Sequence, residues 1–230
     1  MATQKELNQS NTLRGVFCYN KNMKKYQKIS LYSSISIFVI VFAFITYFNR
    51  APDRIIPEGN VIVSPATGDV IHIEKANANE ISFLKKGIVN TLTVQGVEPP
   101  YNIIVIEMDP TDVHVQRSPI GGEVIYQEHI DGQHKNALWS KNVTELANEN
   151  EKNLIVVKND DLSVGVIQVA GIMARRIVSF VSQNDKLEKG DIYGKIKLGS
   201  QVVIVLPEYL EINTEIGDVL VDGESIISRY

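Results

Sequence analysis

The chain has 230 residues, a formal net charge of −4 and a single cysteine, Cys18. Its length is sufficient for one large domain or two small ones with a buried apolar core. One cysteine excludes an internal disulfide framework and a cysteine-based zinc site. Residues 1–50 carry seven Lys/Arg and one acidic residue, whereas the rest carries 16 basic and 26 acidic residues. A body this acidic is a poor candidate for binding nucleic acid.

Residues 29–48, ISLYSSISIFVIVFAFITYF, carry no charge. The length of this segment matches a helix that crosses a hydrocarbon core of about 30 Å, and aromatic residues near its ends suit a membrane interface. A signal peptide fits less well because no small-x-small cleavage site follows, and a buried core helix would usually have a polar face. We predict a basic tail over 1–28 and a membrane anchor over 29–48. The basic tail favours a cytoplasmic N-terminus, so the body lies outside if the segment spans and inside if it only dips into the bilayer.

Residues 49–230 are predicted to form one β-rich domain. Short β-branched runs follow one another, separated by Gly, Pro, Asn or Asp, which is typical of strands joined by turns. Two segments predict helices: 141–151, with Thr144 as the N-cap, and 172–183. Near the C-terminus, a Gly-Asp turn and an Asp-Gly turn between short apolar strands predict compact hairpins. The expected fold is mainly β with a few helices (α+β), with a sandwich-like β-barrel core, hairpins and an N-terminal hydrophobic membrane helix.

His114 is the histidine with the most suggestive surroundings, because it lies in MDPTDVHVQRSP among acidic and basic residues. In an extended DVHV segment Asp112 and His114 would share a face, so the carboxylate could orient the imidazole and stabilise its charged form. A surface ion pair explains these residues equally well. For His72 a surface or core role is the simpler explanation. His129 and His134 flank a predicted turn and lack the third ligand that a metal site requires.

The stretch GKIKLGSQVVIVLP, residues 194–207, combines a strand pattern with a Gly-Ser pair. The apolar run after the pair predicts a buried strand. A glycine at its start adds no packing, and the serine adds a hydroxyl that needs a partner. Taken alone, this stretch is explained by a turn that leads into a strand.

Several blocks together resemble the short, pyruvoyl-dependent type of phosphatidylserine decarboxylase. The similarity covers residues 48–230 in order and includes SPATGDV, MDPTDVHVQRSP, AGIMARRIV and GDIYGKIKLGS. The last of these is the most specific block, because the family places its self-cleavage site there. The hydrophobic segment before NRAPDR also has a counterpart in this family, whose members work at the membrane face.

The resemblance implies self-cleavage between Gly199 and Ser200, which gives a long chain 1–199 and a short chain 200–230 that remain associated. Ser200 would attack the Gly199 carbonyl, and an N→O acyl shift and β-elimination would convert Ser200 into a covalent pyruvoyl cofactor, without a metal. The ketone would form a Schiff base with the substrate amine and accept electrons as CO₂ leaves. The implied function is the decarboxylation of phosphatidylserine to phosphatidylethanolamine at a membrane, in phospholipid biosynthesis.

The resemblance also suggests roles for individual side chains. His114 would supply and accept protons, with Asp112 as its orienting partner. Arg117, Arg175 and Arg176 are candidates for binding the phosphate or carboxylate of the lipid headgroup, because guanidinium groups bind such anions bidentately. Each arginine could instead form a structural ion pair. Nothing in the sequence selects the lipid tails, so an archaeal-type serine lipid fits equally well.

One position departs from the family pattern. Thr67 stands where the family usually has an aspartate that is implicated in activating the cleavage histidine; Asp69 or Asp112 could replace it, or cleavage could be slow or absent. The alternative function is therefore a non-cleaving, catalytically silent membrane-bound relative that acts as a lipid-binding module. A lipoyl or biotinyl carrier would need an exposed lysine at the C-terminal hairpin, which has Asp-Gly. A zinc peptidase would need closely spaced histidines.

Overall fold

The computed structural model describes the backbone of residues 4–77, 80–85, 88–131, 150–171, 177–197 and 200–230. It describes the side chains of residues 26–77, 94–131, 150–171, 177–197 and 201–230. The chain divides into two compact units, Met1–Tyr47 and Phe48–Tyr230.

The first unit is helical. One α-helix, α1, runs over Gln4–Phe48, so it includes most of the tail predicted over residues 1–28 as well as the hydrophobic segment. The stretch Tyr26–Phe48 is long and apolar enough to cross a membrane, by its length and composition. From Tyr26 to Tyr47 its large apolar side chains are exposed all round the helix, and Phe38 and Phe42 stack with their ring centroids 6.3 Å apart. The prediction of an N-terminal apolar helix is confirmed.

The second unit is built mainly from β-strands, as the β-branched runs predict. Over the described residues it contains 15 strands. In chain order the strands are β1 Val61–Val63, β2 Gly68–Ala76, β3 Glu80–Lys85, β4 Ile88–Thr93, β5 Tyr101–Met108, β6 Val115–Arg117, β7 Gly122–Ile130, β8 Lys152–Lys158, β9 Ser163–Val169, β10 Ile177–Ser179, β11 Lys186–Leu187, β12 Ile192–Ile196, β13 Ser200–Pro207, β14 Val219–Leu220 and β15 Ile226–Arg229.

Most of these strands belong to one antiparallel sheet of eight strands that curls into a half-barrel. Its order is β11-β7-β8-β9-β13-β5-β2-β14, so β13 lies in the interior of the sheet between β9 and β5. A three-stranded sheet has the order β10-β12-β6, and two further pairs are β1-β15 and β3-β4. The predicted β-rich, barrel-like class is therefore confirmed.

Both faces of the large sheet are buried, which explains why its central strands are apolar on both sides. On one face, Ile106 of β5 and Val202 of β13 belong to a core that also contains Tyr193 and Ile196 of β12. The opposite face carries a second core, formed by residues of β5, β8, β9 and β13 together with the segment 94–97. The small sheet that contains β12 thus packs against the first face.

The prediction of a helix over 172–183 is wrong for the described part of that range. Ile177–Ser179 form strand β10, which pairs with β12, and residues 180–183 are not helical. The β-branched pair Ile177 and Val178 favours a strand once a partner strand is available. Residues 172–176 lie outside the described residues, as does nearly all of the predicted helix 141–151.

The predicted C-terminal hairpins are also absent from the structure as pairs. The two turns form, with positive φ at Gly217 (98°) and Gly223 (75°). However, β14 pairs with β2 and β15 pairs with β1, so the last strands extend distant parts of the chain. Short runs of two to four residues carry no signal that selects a neighbouring strand over a distant one.

Candidate active site

Ser200 begins strand β13 in the interior of the large sheet. Its backbone pairs with Met108, the last residue of β5. Strand β12 ends shortly before Ser200, so the two sheets are joined by the segment that contains the predicted cleavage position. Gly199 lies outside the described residues, as do Arg175 and Arg176, and their predicted roles stay predictions.

His114 lies directly before β6, next to the strand that leads to Ser200. The carbonyl oxygen of His114 accepts hydrogen bonds from the backbone N–H of Ile196 (3.1 Å) and from Nε2 of Gln116 (3.0 Å). In the pairing of β6 with β12, Val115 lies opposite Lys195. The fold therefore holds His114 by its main chain at the end of β12.

The imidazole of His114 is fully buried, and within the described part of the chain one of its two nitrogens is hydrogen bonded. Nδ1 lies 2.9 Å from the backbone carbonyl oxygen of Asp112. Because a carbonyl can only accept, Nδ1 carries the proton, and Nε2 of the neutral ring has a lone pair. Nε2 has no hydrogen-bond partner in the described part of the chain. A buried acceptor without a partner is uncommon, which makes Nε2 a candidate proton-accepting atom.

The surroundings of His114 favour its neutral form. Burial lowers the pKa of the imidazole, and the positive charges of Lys195 and Arg50 lower it further, while the hydrogen bond to Asp112 and the charge of its carboxylate act in the opposite direction. The ring of Phe48 lies 4.2 Å from the imidazole, centroid to centroid, and supplies an apolar cover. A neutral imidazole at pH 7 can act as a base.

Asp112 contacts His114 differently from the sequence prediction. Its carboxylate accepts a hydrogen bond from the backbone N–H of Asp109 (2.7 Å), and its own N–H donates to the Asp109 carbonyl (2.9 Å). Residues 109–112 therefore form a turn, and the Asp112 carboxylate hydrogen bonds within that turn. Burial raises the pKa of the Asp112 carboxyl. Asp112 orients the imidazole through its main-chain carbonyl.

Arg117, a predicted headgroup ligand, is held in a buried ion pair. Its Nε donates to Oδ2 of Asp222 (2.8 Å), Nη1 to the Gly190 carbonyl (2.8 Å) and Nη2 to the Pro52 carbonyl (2.7 Å). The second carboxylate oxygen of Asp222 accepts from Nη2 of Arg54 (2.5 Å). All three guanidinium nitrogens of Arg117 donate to protein acceptors, so the structure shows Arg117 in a structural ion pair, and its role as a headgroup ligand stays a prediction.

Thr67 completes this group of residues. Its hydroxyl donates to Oδ1 of Asp222 (2.6 Å) and accepts from the Asp222 backbone N–H (3.1 Å). We refer to Thr67, Asp222, Arg54 and Arg117 as the Asp222 cluster. The position where the family pattern has an aspartate is thus occupied by a neutral hydroxyl that binds a neighbouring carboxylate. Asp222 itself was not predicted, because an acid in an Asp-Gly turn is usually exposed.

A row of buried amides supports strand β6. Gln168 Nε2 donates to Oε1 of Gln116 (2.7 Å), and Asn153 Nδ2 donates to Oε1 of Gln168 (2.8 Å). A Cβ atom on Gly194 would lie 2.8 Å from Gln168 Nε2, so glycine leaves the space that this row needs. The row connects β8 and β9 of the large sheet to β6, and through Gln116 to the carbonyl of His114.

Two cations that the sequence did not single out lie near the imidazole. Lys195 Nζ is 6.0 Å from the centre of the Phe48 ring and donates a hydrogen bond to the side-chain oxygen of Asn49. Arg50 Nη2 donates to a carbonyl in the turn before His114 at 2.7 Å. Sequence spacing could not place them there, because Arg50 is far from β12 in the chain.

Comparisons with known proteins agree over nearly the whole chain. A family model described as "Phosphatidylserine decarboxylase" matches residues 41–228. A protein named "Putative archaetidylserine decarboxylase proenzyme" from Methanothermobacter thermautotrophicus is 38% identical over 86% of this chain and 86% of its own length. One of the same name from Methanocaldococcus jannaschii is 36% identical over 90% and 97%. The "Phosphatidylserine decarboxylase proenzyme" of Carboxydothermus hydrogenoformans is 37% identical over 87% and 86%.

Proposed function

The chain belongs to the phosphatidylserine decarboxylase family, and from this we propose that it is the proenzyme of a pyruvoyl-dependent carboxy-lyase acting on a serine phospholipid. The observation that carries the proposal is the buried Nε2 of His114, which has no hydrogen-bond partner among the described residues and lies beside the strand that leads to Ser200. Phosphatidylserine and archaetidylserine share a serine joined through a phosphodiester. That headgroup is the part of the substrate that this site would have to bind.

The proposed cofactor is a pyruvoyl group formed from Ser200 after cleavage of the Gly199–Ser200 bond. A group that reacts with an amine and promotes loss of CO₂ requires a nearby proton carrier that is neutral at pH 7 and shielded from water. The burial of His114 and its lowered pKa fit that requirement. When present, the pyruvoyl carbonyl supplies the electrophile that takes up the electrons left by the departing CO₂.

His114 is the residue we assign to proton transfer. The carbonyl of Asp112 fixes the proton of the neutral ring on Nδ1, so Nε2 is the atom that gains and returns a proton. Each turnover must deliver one proton to the carbon that carried the carboxylate. Burial of the ring and the charges of Lys195 and Arg50 lower the pKa of His114, so the imidazolium releases its proton readily although the hydrogen bond and charge of Asp112 act in the opposite direction.

The two chains produced by cleavage would remain together because of the sheet topology. The short chain, residues 200–230, contributes β13 between β9 and β5, β14 beside β2, and β15 beside β1. Separation of the chains would expose the two faces of β13, whose apolar residues are buried in both cores. The burial of this apolar surface is therefore sufficient to keep the short chain in place.

Membrane attachment is the proposed location. The exposed apolar stretch Tyr26–Phe48 would hold the protein at the bilayer that contains its substrate. A second candidate function, a non-cleaving lipid-binding relative, is favoured by one observation. Thr67 brings a neutral hydroxyl to the place where the family pattern has a carboxylate.

Mass spectrometry of the purified protein, combined with an assay of CO₂ release, tests the proposal. We expect two chains, the shorter one containing residues 200–230 and blocked at its N-terminus. Ser200→Ala should remain one chain and release no CO₂, whereas Ser182→Ala, at an exposed serine, should behave as wild type. An uncut wild type would favour the silent relative, and decarboxylation by fully uncut Ser200→Ala would refute the pyruvoyl mechanism.

A further inference from the structure

We propose that Lys195 binds the phosphate of the substrate headgroup, and that Arg50 adds a second positive charge beside it. This inference rests on the proposed function, because it assigns a binding residue to the same site. Lys195 takes the role that the sequence suggested for Arg117, whose guanidinium donates hydrogen bonds to Asp222 and to two carbonyl groups.

The position of Lys195 suits a ligand that reaches the imidazole. Lys195 lies opposite Val115 in the pairing of β12 with β6, and Val115 is the residue that follows His114 in the chain. Its Nζ is 6.0 Å from the centre of the Phe48 ring, and that ring packs against the imidazole. In a serine phospholipid, four covalent bonds separate the amine nitrogen from the phosphorus, a span of about 5 Å. A substrate with its amine at the reaction centre would thus place its phosphate in this neighbourhood.

The ammonium group of Lys195 has donors available for an anion. Its hydrogen-bond partner is the neutral side-chain oxygen of Asn49, and no carboxylate forms an ion pair with it in the described part of the chain. An ammonium group has three donors, so binding Asn49 leaves capacity for a phosphate oxygen. Burial lowers the pKa of Lys195, and the charge of Lys197 acts in the same direction; a bound phosphate would offset both effects.

The reaction itself indicates that the phosphate is the ligand and not the carboxylate. The carboxylate loses its charge when it leaves as CO₂, so a cation bound to it would stabilise the reactant more than the transition state and raise the barrier. The phosphate keeps its charge throughout the reaction. A cation bound to the phosphate therefore holds the substrate without opposing the chemical step.

The experiment compares Lys195→Gln with Lys197→Gln, since both remove one positive charge from neighbouring positions and Lys197 is exposed. Binding of glycerophosphoethanolamine, which has a phosphate and no carboxylate, is measured by calorimetry with the mature enzyme. We expect Lys195→Gln to weaken this binding about 10- to 100-fold, as for a lost charge-assisted hydrogen bond. Lys197→Gln should change it less than about 3-fold. With phosphatidylserine in phosphatidylcholine vesicles, Lys195→Gln should raise KM more than it lowers kcat.

Lys195→Arg provides a second test, because it keeps the charge and should bind the headgroup within about 10-fold of wild type. Equal losses in the two glutamine variants would indicate general attraction of anions and would overturn the proposal. Unchanged binding in Lys195→Gln, or an arginine variant as weak as the glutamine variant, would overturn it too. Failure of the proposed function is distinguishable, since it would appear as an uncut, inactive wild type.

Discussion

The short strand β6 connects two buried polar regions that differ in how their acceptor atoms are hydrogen bonded. Arg117, the last residue of β6, belongs to the Asp222 cluster, in which both carboxylate oxygens of Asp222 accept hydrogen bonds. Directly before it lies His114, whose ring is equally buried but has one nitrogen without a partner among the described residues. The two regions are built on the same strand, and both His114 and Asp222 are fully buried.

This difference separates a structural role from a chemical one. A buried carboxylate whose two oxygens both accept hydrogen bonds adds to the stability and specificity of a fold, even though Nε of Arg54 in the same cluster has no partner among the described residues. A buried group left with an open lone pair costs stability, and such groups concentrate at functional sites. We therefore expect changes in the Asp222 cluster to alter unfolding, and changes at His114 to alter chemistry.

The largest effect should follow from His114→Asn. Asparagine can donate to the Asp112 carbonyl in place of Nδ1, but it has no basic nitrogen in place of Nε2. Loss of a proton-transfer group typically costs about 10²- to 10⁴-fold in rate. The rate of CO₂ release and the fraction of cleaved chain should both be measured, because either step can depend on this residue.

The matched control is His72→Asn. His72 is partly exposed and its Nε2 lies 3.1 Å from Glu74, so its replacement should leave both readouts near wild type. If His114→Asn cleaved and released CO₂ at wild-type rates, the open nitrogen would have no chemical role. The proposed distinction between the two regions would then be lost.

Asp222→Ala should have the next largest effect, and on stability instead of chemistry. Removing the carboxylate leaves the buried guanidinium of Arg117 and the partly buried one of Arg54 without their counter-charge; loss of one partner of a buried ion pair typically costs about 3–5 kcal/mol. Chemical unfolding of the detergent-solubilised protein, followed by tryptophan fluorescence, measures the loss. Glu211→Ala, at an exposed position, should change the free energy of unfolding by about 0.5 kcal/mol or less. An Asp222→Ala protein with wild-type stability and no activity would place this cluster in the chemical machinery.

Much of the fold could be predicted from local pattern. The alternating β-branched residues of β5 and β13 indicated buried strands, and both are central in the large sheet. The apolar helix was evident from its length and lack of charge. Strand partners were not, because β14 and β15 each bond to strands near the start of the domain. Pairing across such distances depends on the curled sheet as a whole and not on the short strands themselves.

The candidate site could be predicted only in part, for the same reason. His114 and Ser200 stood out through the motifs around them. Asp222 did not, since its ion pair with Arg117 joins residues 105 positions apart in the chain. Lys195 was visible in the most specific block, but its place beside the imidazole follows from the pairing of β12 with β6.

The smallest predicted effect concerns pH, and it tests whether a neighbouring charge sets the pKa of His114. His114 must be neutral to accept a proton, and its pKa lies below the usual value of about 6.5. The value of kcat/KM should therefore be constant near neutral pH and fall as pH drops through that lowered pKa. Lys195 is one of the charges that lower this pKa, so Lys195→Gln should move the acidic limb to higher pH.

Lys197→Gln should leave the limb in place, because its charge is not among those that act on His114. Profiles of kcat/KM against pH for the three proteins measure the shift. A limb that stays fixed, or moves to lower pH, in Lys195→Gln would show that this lysine does not act on the titrating group. A shift in the expected direction, with the fold retained, would show that the two regions respond differently to the loss of one charge. Near His114 the loss changes the pKa of the imidazole, whereas in the Asp222 cluster it removes the counter-charge of two arginines.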